Sequence, residues 1–343
     1  MSHVIAHWAN KPGAPRVVFV NTRGSRHIAL SPFFFLAAVA RIIGLALSGR
    51  RPVLHVNVSN KGSAVRKFIV VVLASLLRLR MVLHSHDGSL DRAHPRLPRL
   101  AQAAVRWMFS RGDCVVVLGD YWKRYFTEQI RVLPDRIEVI CNGVPAPPGP
   151  PARPAADGAL RIVFLGRLAE TKGVSELLAA LASEQVARLG WHATLAGDGN
   201  CGPYRSKAEA HGLSERIAFP GWLDKPAVGR LLAQADILVL PSHFEGLPMA
   251  VIEALANAVP VICTPVGALP DYLVDGRSAL FVEPGDARSL AMALERLIGS
   301  PDLREKLAAE GRKVFLTNFD VATTARRLEQ VYRRVMLPQG PLG

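Results

Sequence analysis

The chain predicts two doubly wound α/β domains joined by a proline-rich segment, and three observations carry that expectation. Short, β-branched, apolar runs alternate with longer helical stretches throughout, and strands apolar on every side indicate parallel sheets covered on both faces. The segment "VPAPPGPPARPAADG", residues 144–158, holds six prolines between Pro145 and Pro154, a composition that forms neither a helix nor a central strand. Charge changes at the same place. Residues 1–150 hold 21 Lys+Arg against 7 Asp+Glu, whereas residues 151–343 hold 21 of each, so the whole formal net charge of +14 lies in the first half.

In chain order, residues 1–143 supply the strands "RVVFVN", "PVLHVNV", "RMVLHSH", "DCVVVL" and "RIEVIC" of a first domain. Residues 144–158 are the linker. Residues 159–318 supply "LRIVFLG", "WHATLAG", "RIAFPG", "DILVLP", "VPVIC" and "ALFVEP" of a second, and residues 319–343 form an amphipathic C-terminal helix expected to cross back to the first. Two such domains leave a cleft, and ligands of open α/β sheets bind beyond the carboxyl ends of the strands. The apolar stretches "PFFFLAAVARIIGLAL" and "FIVVVLASLL" are too short or too interrupted to span a bilayer and read as buried helices. The N-terminal residues lack the pattern of a secretory signal. Cys114, Cys141, Cys201 and Cys263 form no CxxC pair, so the expectation is reduced thiols in a cytoplasmic protein without a zinc site. The basic first half would attract nucleic acid, acidic lipid headgroups or a pyrophosphate-bearing ligand.

The segment "HFEGLPMAVIEALA", residues 243–256, carries Glu245 and Glu253 eight positions apart, at the carboxyl end of a strand that closes at Pro241. Pro248 suits the first turn of the helix that follows. Eight residues along a helix span about 12 Å, more than the roughly 5–9.5 Å between the carboxylates of a glycosidic acid/base pair. The two acids are therefore better placed to grip separate parts of one elongated ligand. Between them the amides of Gly246, Leu247 and their neighbours, at a helix start, offer a phosphate cradle. Glu253 is surrounded by Met249, Ala250, Val251, Ile252, Ala254, Leu255 and Ala256, so it has no evident solvated face. In "FLGRLAETKGV", Arg167 and Lys172 follow the first strand of the second domain, where two cations could bind a diphosphate and stabilise the charge that grows as it departs.

Together, "GRLAETKG", "AGDGN", "PSHFEGLPMAVIEALANAVPVICTPVGALPDYL" and "VICNGV" resemble the E-x(7)-E glycosyltransferase family of GT-B fold, the group 1 or family 4 glycosyltransferases. The likeness covers residues 136–335 well and residues 16–135 in outline. It implies a retaining, metal-independent hexosyltransferase in which Glu245 holds hydroxyls of the donor sugar and Glu253 holds the ribose. By the same resemblance Arg167 and Lys172 bind the donor diphosphate, the loop Gly221–Trp222–Leu223 lies where the base is held, and Pro248 opens the donor-binding helix. No metal and no cofactor beyond the nucleotide-diphospho-sugar is expected, and no D-x-D motif occurs in the sequence. A His at the edge of the first domain faces the donor sugar in similar proteins. His86 fits that position, and His84 reads as a packed strand residue. The family's glycine-rich acceptor loop is reduced here to Gly24 in "VNTRGSRH", where Arg23 and Arg26 could meet an anionic acceptor.

"GDGNCG", residues 197–202, matches G-x-G-x-x-G but follows the second strand of its domain, and the next strand closes without an acid, which argues against a dehydrogenase. A basic nucleic-acid-binding protein is the alternative from another class. It lacks an aromatic platform or zinc module, so no nucleic-acid partner is expected. A GT-B nucleotide-sugar epimerase is the alternative within enzymes. The reading is a transferase acting on a lipid-linked sugar of surface polysaccharide synthesis, docked on an anionic membrane surface at the inner face of the cytoplasmic membrane.

Overall fold

The computed structural model describes residues 17–22, 31–49, 52–59, 62–147 and 158–336. The chain divides into two compact units, Met1–Cys141 with Thr324–Gly343, and Asn142–Thr323. Of the proline-rich segment 144–158, residues 148–157 lie outside the described residues.

The first unit carries a four-stranded parallel sheet, β1 (Val53–Val58), β2 (Arg80–Ser85), β3 (Cys114–Val117) and β4 (Ile137–Val139), in chain order. The central strands are apolar on both sides: β3 is wholly buried, and β2 is buried from Met81 to Ser85. Phe109 and Phe126 meet edge to face at 4.8 Å in its core, a geometry aromatic pairs favour. The helix Val321–Met336 opens in the second unit, where Val144 and Asp320 form a parallel bridge, and counts with the first from Thr324 onward. There Tyr332 bonds His55 at 2.7 Å and Arg334 pairs with Glu138 at 2.6 Å.

Two sequence expectations change here. The run "RVVFVN" is not a strand: residues 17–21 are irregular, Phe19 is exposed, and β1 pairs only with β2 among the described strands. Its β-branched composition favours a sheet but cannot supply a ladder partner. The helices Ser31–Leu47 and Gly62–Leu76, which contain the two long apolar stretches, are not buried all round. Ser31–Leu47 buries only Ala38 and Ile42 and leaves Phe33, Leu36 and Leu47 exposed. Covering one arc of an all-apolar helix leaves no polar arc to meet water.

The second unit is a six-stranded parallel sheet of β5 (Leu160–Leu165), β6 (Trp191–Ala196), β7 (Ile217–Gly221), β8 (Ile237–Leu240), β9 (Val261–Cys263) and β10 (Leu280–Phe281), ordered β10-β9-β8-β5-β6-β7. The order reverses about β5, so the connections leaving β5 and β8 diverge, which opens a crevice at the carboxyl edge between them. Asp236, at the entry to β8, fastens this junction: its carboxylate accepts from Arg161 N at 2.8 Å, Nε at 3.0 Å and Nη2 at 3.2 Å. Fully buried Phe164, Trp191 and Phe315 fill the core, each worth about 2–3 kcal/mol of apolar burial.

Asp236→Ala removes three acceptor bonds and leaves the Arg161 guanidinium beside buried backbone. It is expected to lower stability by about 2–4 kcal/mol. Urea unfolding followed by tryptophan fluorescence checks this, and a loss below about 0.5 kcal/mol would contradict it.

Candidate functional site

At the crevice beyond β5 and β8 lies a cavity of about 330 Å³, within the range of ligand sites. Arg167, Lys172, Asp198, Trp222, Leu223, Glu245, Pro248, Met249, Ala250 and Glu253 are among its lining residues, all from the second unit.

Three connections converge there because two glycines let backbone touch backbone. Gly173 closes the loop after β5 at φ +70°, and a Cβ on it would stand 2.1 Å from Pro241 O, at the end of β8. A Cβ on Gly197, after β6, would stand 1.7 Å from Gly166 O. No side chain fits either contact. The loops are then stitched together by polar bonds. His243 N donates to Thr171 O at 3.0 Å, and His243 Nε2 lies 2.8 Å from Glu176 Oε1. Lys172 Nζ donates to Glu245 Oε1. The same oxygen accepts from Ser242 Oγ at 2.8 Å, and Thr264 Oγ1 donates to Ser242 O at 2.5 Å. Glu245 is thus fixed from both sides, its side chain only 12 % exposed against 25 % for Lys172.

Arg167 is more open. It approaches Asp198 at 3.8 Å, and both side chains are largely exposed, so the guanidinium is free to reorient toward a ligand. Trp222 is 72 % exposed, a flat apolar surface at the mouth beside Leu223. Glu253 projects from the helix Met249–Ala256. Burial pushes its carboxyl above the usual range, with Lys225 acting in the opposite sense. A half-buried acid kept in an apolar helix carries a desolvation cost that a hydroxyl partner would relieve.

The structure alters the expected geometry of the two acids. Only Glu253 is helical. Pro248 is the N-cap, with φ −71° and ψ 127°, and Glu245 sits in the segment before it, so the eight-residue interval is not a helical rise. The amides left without intrahelical acceptors are therefore those from Met249 onward rather than those of Gly246 and Leu247. Leu247 is buried, and Gly246 O accepts from Ala268 N at 3.0 Å. Neither lines the cavity, and nor does Gly221, which closes β7 beside Trp222.

His84 and His86 occupy the carboxyl end of β2 in the first unit. They share one face as strand periodicity requires, stacked at 4.1 Å. His84 is fully buried, and burial holds it well below the usual imidazole range. His86 Nε2 lies 3.0 Å from Asn57 Oδ1. Burial lowers the His86 pKa to about 3, so the imidazole is neutral near pH 7. Arg23, Gly24 and Arg26 lie outside the described residues.

Sequence reasoning missed Asp198, Ser242, Met249, Ala250 and Asn57. For Asp198 the signal was available: "AGDGN" follows β6, the neighbour of β5, and must end at the same edge. For Asn57 it was the pair of polar residues at alternate positions of "VLHVNV".

The family model "Glycosyl transferase 4-like domain" matches residues 6–143, and "Glycosyl transferases group 1" matches residues 151–314. Glycogen synthase of Mycobacterium tuberculosis is 28% identical over 295 residues, covering 84% of this chain and 70% of that protein. The lipopolysaccharide core biosynthesis glycosyltransferase LpsE of Rhizobium meliloti is 33% identical over 160 residues, 46% of this chain and 45% of that protein. The crystal structure of Anabaena HepE in complex with UDP-glucose shares the fold, with a TM-score of 0.71 at 18% identity over 87% of this chain and 82% of that one. With the two family models adjoining along the chain, and two parallel-sheet α/β units beneath them, the chain belongs to the group 1 glycosyltransferases, of GT-B fold.

Proposed function

We propose that this glycosyltransferase moves a sugar, with retention at the anomeric carbon and without a metal, from a nucleotide-diphospho-sugar to a lipid-linked intermediate of surface polysaccharide synthesis. The observation that carries the reading is the set of groups gathered on one cavity: an exposed indole, the half-buried Glu253, the cations Arg167 and Lys172, and Glu245 held by Lys172 and Ser242. A nucleotide-diphospho-sugar presents a base, a ribose, a diphosphate and a hydroxyl-rich ring, and each has a chemical counterpart in that set. UDP-glucose is the ligand named for the Anabaena protein.

In this reading Trp222 and Leu223 cover the base and Glu253 accepts from ribose hydroxyls. Arg167, Lys172 and the first-turn amides of Met249 and Ala250 take the diphosphate, and Glu245 holds the sugar hydroxyls. As the C1–O bond breaks, its electron pair stays on the diphosphate, where Lys172 and Arg167 would supply the charge stabilisation that a divalent ion gives elsewhere. The acceptor hydroxyl forms the new bond to C1 from the same face, which places its proton beside the departing phosphate oxygen, the nearest base. The part of His86, neutral and bonded to Asn57, and the first unit's part in taking the acceptor are carried by the family resemblance alone. The basic first half, and the role printed for the Rhizobium relative, support an acceptor held at the inner face of the cytoplasmic membrane.

Screening nucleotide-sugars by thermal shift tests the donor: the true one, at 100 times its dissociation constant, should stabilise by about 2.7 kcal/mol, and no shift with any would overturn the reading. With the donor in hand, Lys172→Ala should lower turnover by about 100- to 1,000-fold. Glu245→Ala should abolish transfer, with both variants read by transfer of radiolabelled sugar, and full activity in both would refute the site.

Glu253 gives a prediction of opposite sign for stability. Its folded carboxyl titrates above its unfolded value, so its contribution is most favourable below the unfolded pKa and is lost as pH rises through the folded one. Glu253→Gln should therefore stabilise the ligand-free protein at pH 7 by about 1 kcal/mol, an advantage that closes as pH falls through the carboxylate range, while weakening the donor. Thermal melting across pH, with and without donor, reads both effects.

A further inference from the structure

Two helices of the first unit face water with the wrong chemistry. In Ser31–Leu47, Phe33 is 69 % exposed, Leu36 63 % and Leu47 76 %. With Ala40 these positions recur at helical spacing and fall on one face, flanked by exposed Arg41, the helix's one charged residue. In Gly62–Leu76, Val65 is 65 % exposed, Ile69 45 % and Leu76 77 %, again on one face. By contrast the helix Pro301–Asn318 of the second unit presents Asp302, Glu305 and Lys306 outward. The first acidic residue of the chain is Asp87: residues 1–86 contain 12 Lys+Arg and no Asp or Glu. The stretch that supplies both apolar faces therefore carries a charge of +12, uncompensated within its own sequence.

We propose that the outward faces of these two helices are a docking surface for an anionic lipid bilayer. The inference rests on the proposed transfer to a membrane-held acceptor and names the surface that brings the enzyme to it. Nucleic acid would satisfy the charge but offers nothing to the exposed Phe33, Leu36 and Ile69. A bilayer of acidic lipid satisfies both, because basic side chains meet headgroups while the apolar stripe enters the boundary between headgroups and acyl chains. No helix among the described residues is long and apolar enough to cross a membrane, so the contact is with one leaflet.

The test is cosedimentation of the full chain with sucrose-loaded vesicles, either phosphatidylglycerol mixed with phosphatidylcholine or phosphatidylcholine alone. The wild type should sediment with the mixed vesicles only, and high salt should weaken the binding. Phe33→Glu combined with Leu36→Glu should reduce partitioning by roughly 100-fold, as removing two large apolar groups from lipid implies. Val65→Glu combined with Ile69→Glu should do the same, and serves if the first pair misfolds by circular dichroism. Met292→Glu, an equally exposed apolar position in the second unit, should bind as the wild type does. The proposal is overturned if the wild type stays in the supernatant at low salt, if a folded double variant binds unchanged, or if the control loses as much. It is also overturned if the patch instead drives concentration-dependent dimers without vesicle binding. Stabilisation by the nucleotide-sugar, read on the same samples, separates the two ideas: its absence in the wild type counts against the donor site and leaves the vesicle result standing.

Discussion

The site depends on one ion pair, Lys172 with Glu245. Each partner ends a different connection, one leaving β5 and the other leaving β8, so the pair spans the place where the strand order of the second unit reverses. Gly173 presses against Pro241 and His243 N bonds Thr171 O in the same junction, so the cation and the acid are held by backbone before either side chain is considered. Ser242, itself held by Thr264, bonds the carboxylate oxygen that Lys172 uses. Built this way, the site carries no uncompensated buried lysine. Under the proposed function a diphosphate would compete with Glu245 for Lys172, so its binding and the release of the acid toward a sugar would be one event.

Much of this was legible because parallel sheets fix where loops go. Arg167, Lys172 and Glu245 all follow β-branched runs, and adjacent parallel strands deliver such residues to one edge whatever the helices between them do. Glu253 was legible as an acid with no polar neighbours, and its raised carboxyl is the physical form of that anomaly. The interval between the two acids does not measure a helix, because a proline N-cap interrupts it. The same interruption moves the open amides of the helix start from Gly246 and Leu247 to Met249 and Ala250. A one-dimensional pattern gives the existence of a helix start more securely than its first residue.

The first unit was read less well, for reasons that also have physical content. "RVVFVN" has strand composition, yet pairing is a tertiary property and β1 takes only β2. The apolar stretches at 32–47 and 68–77 were read as buried because hydrophobicity reports what a side chain avoids, not what covers it. The Asn57 side chain that lies against His86 comes from the neighbouring strand, through the register Asn57 to His84. Pairings across strands are where single-sequence reasoning ends in this unit.

The most direct test of the ion pair's role is a crystal structure of the protein bound to its nucleotide-diphospho-sugar. The account predicts the diphosphate within hydrogen-bond distance of Lys172 Nζ and Arg167, with the Glu245 carboxylate turned to the sugar hydroxyls and Glu253 on the ribose. A donor lodged elsewhere, with Lys172 still closed on Glu245 and both acids idle, would contradict it.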